Sequence, residues 1–292
     1  MDFEFNYKMY MHELCRRRFT SFFDVYLVNY CNLGCKWCSR WCNIVKHHQI
    51  YESADVIKDT LCILDNWSGV SHLGYSGGEP LLHPDIVELC KFLGECKLKY
   101  HLPSSTVQTN CKKLLSMSDE FFSVLRKYNI EIVYTKYPKE SGIDYDETFR
   151  RLDEEHISYR NQLITAGSRP DSYMDEFDLT KFTECKSEDN KFKINDFLTC
   201  FQTCPCLWQG KFFKCCDLPF IYNLNDNFNT HFKLIENDDY IQVSNLDKNF
   251  DFTKWKNIPS HACIYYCEKC KHGRVKWSIG KNTKNELINN EK

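Results

Sequence analysis

From residue 21 to about residue 165 the sequence alternates strand-like with helix-like segments, and this alternation limits the fold more than any other feature. Ser21 to Tyr30 is rich in aromatic and β-branched residues, as a strand requires. Glu52 to Trp67 spaces Ala54, Ile57, Leu61 and Leu64 along one helical face, and Val70 to Tyr75 reads as a short strand running into Gly77-Gly78. His83-Pro84-Asp85 predicts a helix start, with proline in its first position and Asp in its first turn. Strands near Thr106 to Asn110, Glu131 to Tyr137 and Ile157 to Ile164 follow, separated by helices near Ser118 to Tyr128 and Tyr145 to His156. Parallel neighbours need a crossover, so the order implies an α/β fold: a parallel sheet with helices outside, whether open, partly closed or barrel-like.

The chain has 292 residues, 42% of them hydrophobic and 15% aromatic, with 11 Gly and 8 Pro; a sizeable core is expected and disorder is excluded as its main state. Lys plus Arg number 38 against 40 Asp plus Glu, without a long basic block, which disfavours a nucleic-acid partner. The first 20 residues contain no apolar signal region, and no run approaches a membrane span. The expected setting is the reducing cytoplasm. There the 18 Cys are more suited to metal or redox work than to disulfides.

Eleven cysteines fall into three groups: Cys31, Cys35 and Cys38; Cys200, Cys204, Cys206, Cys215 and Cys216; and Cys263, Cys267 and Cys270. Cys62 and Cys90 lie on apolar helical stripes, and Cys15, Cys96, Cys111 and Cys185 have no neighbour at ligand spacing; these six read as packing residues. The expected organisation is an N-terminal segment (1–20), a core (21–198), a small Cys-rich module held more by metal than by apolar packing (199–280), and a polar, fraying tail (281–292).

Cys31-Asn-Leu-Gly-Cys35-Lys-Trp-Cys38 sets three thiols directly after the first strand. Two readings fit the spacing: a zinc site completed by His47 or His48, or a four-iron cluster with one iron open to a non-protein ligand. Tyr75-Ser76-Gly77-Gly78-Glu79-Pro80 follows the next strand; its glycines allow close backbone approach to a ligand, and its carboxylate suits an ammonium group. Together the two motifs resemble the radical S-adenosylmethionine (SAM) superfamily, whose CxxxCxxC signature carries an aromatic residue before its last cysteine, here Trp37.

The resemblance covers roughly residues 21 to 165. It implies a partial (β/α) barrel in which Cys31, Cys35 and Cys38 hold a 4Fe-4S cluster whose open iron chelates SAM. Gly77, Gly78 and Glu79 would contact the methionine end and Trp37 would sit near the adenine, with core packing as its alternative. Asn110 and Thr135, near later strand ends, would touch ribose or carboxylate. The implied chemistry is reductive cleavage of SAM to a 5'-deoxyadenosyl radical that abstracts hydrogen from an unactivated C–H bond, with a one-electron reductant such as flavodoxin or ferredoxin.

Cys204, the run Gly210 to Cys215, and Cys267-Glu-Lys-Cys270 resemble the SPASM and shorter twitch auxiliary-cluster modules. The implied ligands of one auxiliary iron-sulfur cluster are Cys204, Cys215, Cys267 and Cys270. Two clusters, or a structural zinc, are the alternatives. A small sugar-like substrate is expected, since only a short segment precedes the first strand, whereas related peptide maturases carry a leader-binding domain there. Dehydrogenation is the leading outcome. Epimerisation, with Cys206, Cys216 or Cys263 as hydrogen donor, and peptide modification are the other enzymatic readings, and a non-catalytic metal-binding module is the remaining one.

Overall fold

The computed structural model describes residues 21–162, 173–177, 205–229, 233–257, 271–283 and 286. Five strands and four helices alternate as expected: β1 (Ser21–Tyr26), α1 (Ser53–Asn66), β2 (Val70–Ser76), α2 (Ile86–Lys99), β3 (Ser104–Thr109), α3 (Asp119–Tyr128), β4 (Glu131–Tyr134), α4 (Tyr145–Glu154) and β5 (Tyr159–Asn161). All four pairings among these strands are parallel. After them come β6 (Tyr173–Phe177), β7 (Cys206–Trp208), β8 (Lys211–Phe213), α5 (Tyr222–Phe228), β9 (Tyr240–Gln242), α6 (Phe252–Asn257) and β10 (Lys271–Lys276).

The strands form one eight-stranded sheet in the order β5-β4-β3-β2-β1-β7-β8-β9, and β10 pairs with β6 in a second, two-stranded sheet. The large sheet is unclosed, since β5 and β9 are its two ends, as a partial barrel requires. β7 joins β1 in parallel, and β8 runs antiparallel to both β7 and β9. The Cys-rich segment therefore continues the same sheet at its β1 edge. Gln209 and Gly210, with φ of 45° and 73°, make the two-residue turn between β7 and β8, where glycine is favoured because φ is positive.

Residue alternation gives the sheet two unlike faces. Phe23, Val25, Leu73, Tyr75 and Val107 are 0% exposed, and the Tyr75 hydroxyl donates to the Leu89 carbonyl of α2 at 2.7 Å, which marks this face as the one under the helices. Asp24, Gly74 and Thr106 are register partners on the opposite face. In α2, Gly94 lets α3 approach: a Cβ there would lie 2.1 Å from the Tyr128 ring.

Two local expectations shift. The buried residues of α1 are Val56, Asp59, Thr60, Ile63 and Leu64, while Ile57 is 36% exposed. The helix is rotated from the Ala54–Ile57–Leu61 stripe toward Asp59, whose carboxylate takes the Tyr51 hydroxyl. Helix α2 begins at Ile86, two residues past Pro84, because His83 closes a 3-10 turn over Pro80–Leu82 and its Nδ1 accepts from the Asp85 N–H at 3.1 Å. Among the described residues no helix is long and apolar enough to cross a membrane.

Candidate functional site

The cysteine loop leaves β1 and returns to α1 through a pinned neck. Val28 bridges Ile50, Tyr51 N–H donates to the Leu27 carbonyl at 2.8 Å, and Asn29 N–H to the Gln49 carbonyl at 3.2 Å. The wholly buried Asn29 side chain accepts from Gln49 N–H at 2.8 Å and donates to the His47 carbonyl at 3.0 Å, tying the two ends together. Inside the loop, Gly34, Trp37 and Trp41 have positive φ, so the chain reverses sharply between the thiols.

The glycine turn after β2 docks on this loop. Gly78 N–H donates to the Val28 carbonyl at 2.8 Å and Glu79 N–H to the Tyr30 carbonyl at 2.9 Å. A Cβ on Gly78 would stand 1.9 Å from Tyr30 O, and one on Gly77 would stand 2.6 Å from Val28 O. The close approach that these glycines allow is thus to the backbone leading into Cys31. Arg40 reaches back from the loop, its Nη1 donating to Ser76 Oγ at 2.8 Å and to the Gly77 carbonyl at 2.7 Å, with the guanidinium over the Tyr26 ring.

Glu79 is 1% exposed and fully engaged. Its Oε1 accepts from Leu81 N–H at 3.1 Å and Thr109 Oγ1 at 2.8 Å, and its Oε2 from Asn110 N–H at 2.8 Å. Burial pushes this carboxyl up to about 7 despite those donors. Asn110 continues the chain of contacts, its Nδ2 lying 3.3 Å from Cys31 Sγ and 2.8 Å from Asn32 Oδ1. Cys31, Glu79 and Asn110, each following a different strand, are thereby brought together at the C-terminal end of the sheet.

Of the three loop thiols, burial pushes Cys31 and Cys35 up to about 12, while a hydrogen bond with the Cys42 thiol draws Cys38 down to about 6. Around one zinc, thiolates at about 2.3 Å would lie roughly 3.8 Å apart. Among the described residues the single set of three such ligand atoms mutually within 4.8 Å is Cys215, Cys216 and Asp217. The loop thiols are spread more widely than one ion requires, and His47 and His48 are exposed outside any such set. N–H donors aimed at Cys31 and Cys35 sulfur suit an anionic thiolate-held cluster. The donor set fits four irons better than a single zinc.

Trp37 is 6% exposed within the core, and Thr135 donates to Gln162 Oε1 at 3.1 Å. Cys206 is wholly buried with its thiol 3.6 Å from the Cys215 carbonyl, and the Cys216 carbonyl accepts from the Tyr26 hydroxyl at 2.6 Å. Cys200, Cys204, Cys263, Cys267 and Cys270 lie outside the described residues.

Four contributors escaped the sequence reading: Arg40, Cys42, Trp277 and Asn282. Cys42 carried a signal, being one helical turn beyond Cys38. The others act over long separations. Asn282 is 4% exposed and accepts from Trp37 N–H at 2.9 Å, so the polar tail does not fray at its start; a buried amide holds it there.

Residues 25–137 match the family model for the radical SAM superfamily. Members of that superfamily use a 4Fe-4S cluster and SAM. No curated protein matches the chain. Solved structures similar to it include Streptococcus suis SuiB bound to S-adenosylmethionine (21% identity, 53% of this chain, 37% of that chain, TM-score 0.40). HydG, a maturase of the [FeFe]-hydrogenase, gives 19% identity over 54% of this chain and 38% of that chain, with TM-score 0.37. Methylornithine synthase (PylB) gives 14% identity over 55% and 51%, with TM-score 0.38. The similarity thus spans from about a third to about half of these chains.

Proposed function

We propose that this chain is a radical SAM oxidoreductase that removes hydrogen from a C–H bond of a small, sugar-like substrate, with dehydrogenation of an alcohol to a ketone as the outcome. Cys31, Cys35 and Cys38 hold the cluster, and Gly77 to Glu79 with Asn110 receive SAM beside it. When bound, these cofactors supply a 5'-deoxyadenosyl radical, which takes the substrate hydrogen atom.

The inner face of the sheet carries the substrate reading. It presents Asp24, Ser76, Gln108, Thr135 and Gln162 as a joined polar lattice. Gln108 Nε2 donates to Asp24 Oδ2 at 2.6 Å, Ser76 Oγ to Gln108 Oε1 at 3.1 Å, and Gln162 Nε2 to Gln108 Oε1 at 3.4 Å. Such a face offers hydroxyl groups many partners and an apolar substrate none. Asp24 is the carboxylate placed there to accept the hydroxyl proton. Cys204, Cys215, Cys267 and Cys270 would hold an auxiliary iron-sulfur cluster, which would supply the one-electron acceptor needed for the alcohol to lose one hydrogen atom, one proton and one electron.

Cys216 gives epimerisation its specific support, being half-buried and anchored through its carbonyl to Tyr26 at the end of β1. The test is turnover with carbon-deuterated polyols and aminopolyols. The proposal expects deuterium in 5'-deoxyadenosine and a product two hydrogens lighter. An epimer with no net loss of hydrogen, carrying one solvent deuterium when the unlabelled substrate is turned over in deuterated water and lost in Cys216→Ala, would establish the second reading. Deuterium transfer from peptides alone would refute both.

A further inference from the structure

We infer that residues 277–282 are a latch across the cysteine loop, and that the Trp277 indole is a positioning residue which, through Cys35, sets the reduction potential of the SAM-binding cluster. The inference rests on assigning that cluster to Cys31, Cys35 and Cys38. The latch follows β10 and pairs with the loop like an added strand. Cys35 bridges Ile279, Lys36 N–H donates to the Ser278 carbonyl at 2.9 Å, and Gly280 N–H to the Gly34 carbonyl at 3.0 Å. Asn282 Oδ1 accepts from Trp37 N–H and from Asn43 Nδ2, both at 2.9 Å, and Asn43 Nδ2 also reaches the Gly280 carbonyl at 3.0 Å. A Lys36–Glu286 ion pair adds to the far end. Every residue from Gly34 to Trp37 is thus held by a segment more than 240 positions away, and none of this pairing involves the glycine turn.

Trp277 is 7% exposed, and its Nε1–H lies 3.2 Å from Cys35 Sγ. An indole N–H can only donate, and a buried one needs an acceptor; here that acceptor is the sulfur. The Tyr137 ring packs beside the indole, its centroid 5.9 Å from that of Trp277. Asn110 addresses Cys31 but shares its amide with Asn32. Cys35 therefore receives an unshared indole N–H in a buried setting. Donors to a ligand sulfur favour the reduced, more negative cluster and raise its potential, the more so where water is excluded. Seating of the latch consequently bears on how readily the cluster accepts an electron.

The experiment is an EPR-monitored redox titration of the reconstituted full chain, reading the signal that changes when SAM is added. Trp277→Phe keeps the ring and removes the donor. It should hold the parent's iron yet titrate lower, with the reduced-to-oxidised ratio at the parent's midpoint falling about tenfold, equivalent to about 59 mV for one electron. An exchangeable proton coupled to the reduced cluster in the parent should vanish in this variant. Full iron with an unchanged midpoint overturns the inference. Should Trp277→Phe lose iron, Trp277→His restores an N–H donor. Recovery of iron and midpoint then supports the inference, and failure to recover overturns it. A parent without any SAM-sensitive signal would instead remove the cluster assignment, and the inference with it.

Discussion

Gly78→Ala is the most informative single change, because one methyl group separates the two halves of the site. The added Cβ would sit 1.9 Å from Tyr30 O, 2.4 Å from Tyr30 C and 2.9 Å from Tyr30 N, all backbone atoms that cannot rotate away. Relieving that contact requires the turn and the loop to part by more than an ångström. Two backbone hydrogen bonds, Gly78 N–H to Val28 O and Glu79 N–H to Tyr30 O, are then lost. At about 1 kcal/mol each, plus about 1–3 kcal/mol for overpacking, the expected cost is about 3–5 kcal/mol. Gly69→Ala is the control: nothing lies within 4 Å of its Cβ, and only its φ of +77° is unfavourable, for about 1–2 kcal/mol. Urea denaturation of the iron-free proteins reads the stability, and iron uptake on reconstitution reads the loop, since Tyr30 immediately precedes Cys31. If Gly78→Ala matches Gly69→Ala in midpoint and takes up iron like the parent, the docking of turn on loop is not what the glycine serves.

Two further outcomes follow from the same geometry. Glu79 is raised to about 7 from 4.5, so the folded chain keeps a proton that the unfolded chain releases above pH 4.5. Its stabilisation is full below that pH and is lost as pH rises toward 7, by about 1.4 kcal/mol per unit and about 3 kcal/mol in all. Without SAM, the stability of the parent relative to Glu79→Gln should shrink over that window; a difference constant with pH contradicts the reasoning. Arg40→Met leaves the buried Gly77 carbonyl without its charged donor and should cost about 2–3 kcal/mol in urea denaturation, with Arg40→Lys intermediate; a neutral result would show that the carbonyl finds another partner.

The alternation of elements was legible because it is local. Apolar spacing over 10 to 16 residues predicted β1 to β5 and α1 to α4, since each element buries one face against the sheet. The cysteine and glycine motifs were legible for the same reason, each lying within a few residues of its strand end. The rotation of α1 was not, because a buried Asp59 facing Tyr51 outweighs one exposed isoleucine, and periodicity counts only apolar residues. Gly77 and Gly78 were read as sites where a ligand approaches; in the structure the backbone of Leu27, Val28 and Tyr30 approaches them, an arrangement fixed by the β1–β2 register, which no local pattern encodes. Arg40, Trp277 and Asn282 exert their effects across 36 to 245 positions, with side chains that look ordinary in sequence.

The central claim is that the loop after β1 holds the cluster that cleaves SAM. Its most direct test is the full chain carrying Cys31→Ala, Cys35→Ala and Cys38→Ala, reconstituted without oxygen beside the parent and assayed for iron and 5'-deoxyadenosine. The variant should hold about four fewer irons per chain and release no 5'-deoxyadenosine under strong reductant. Equal iron and undiminished SAM cleavage in the two proteins would contradict it.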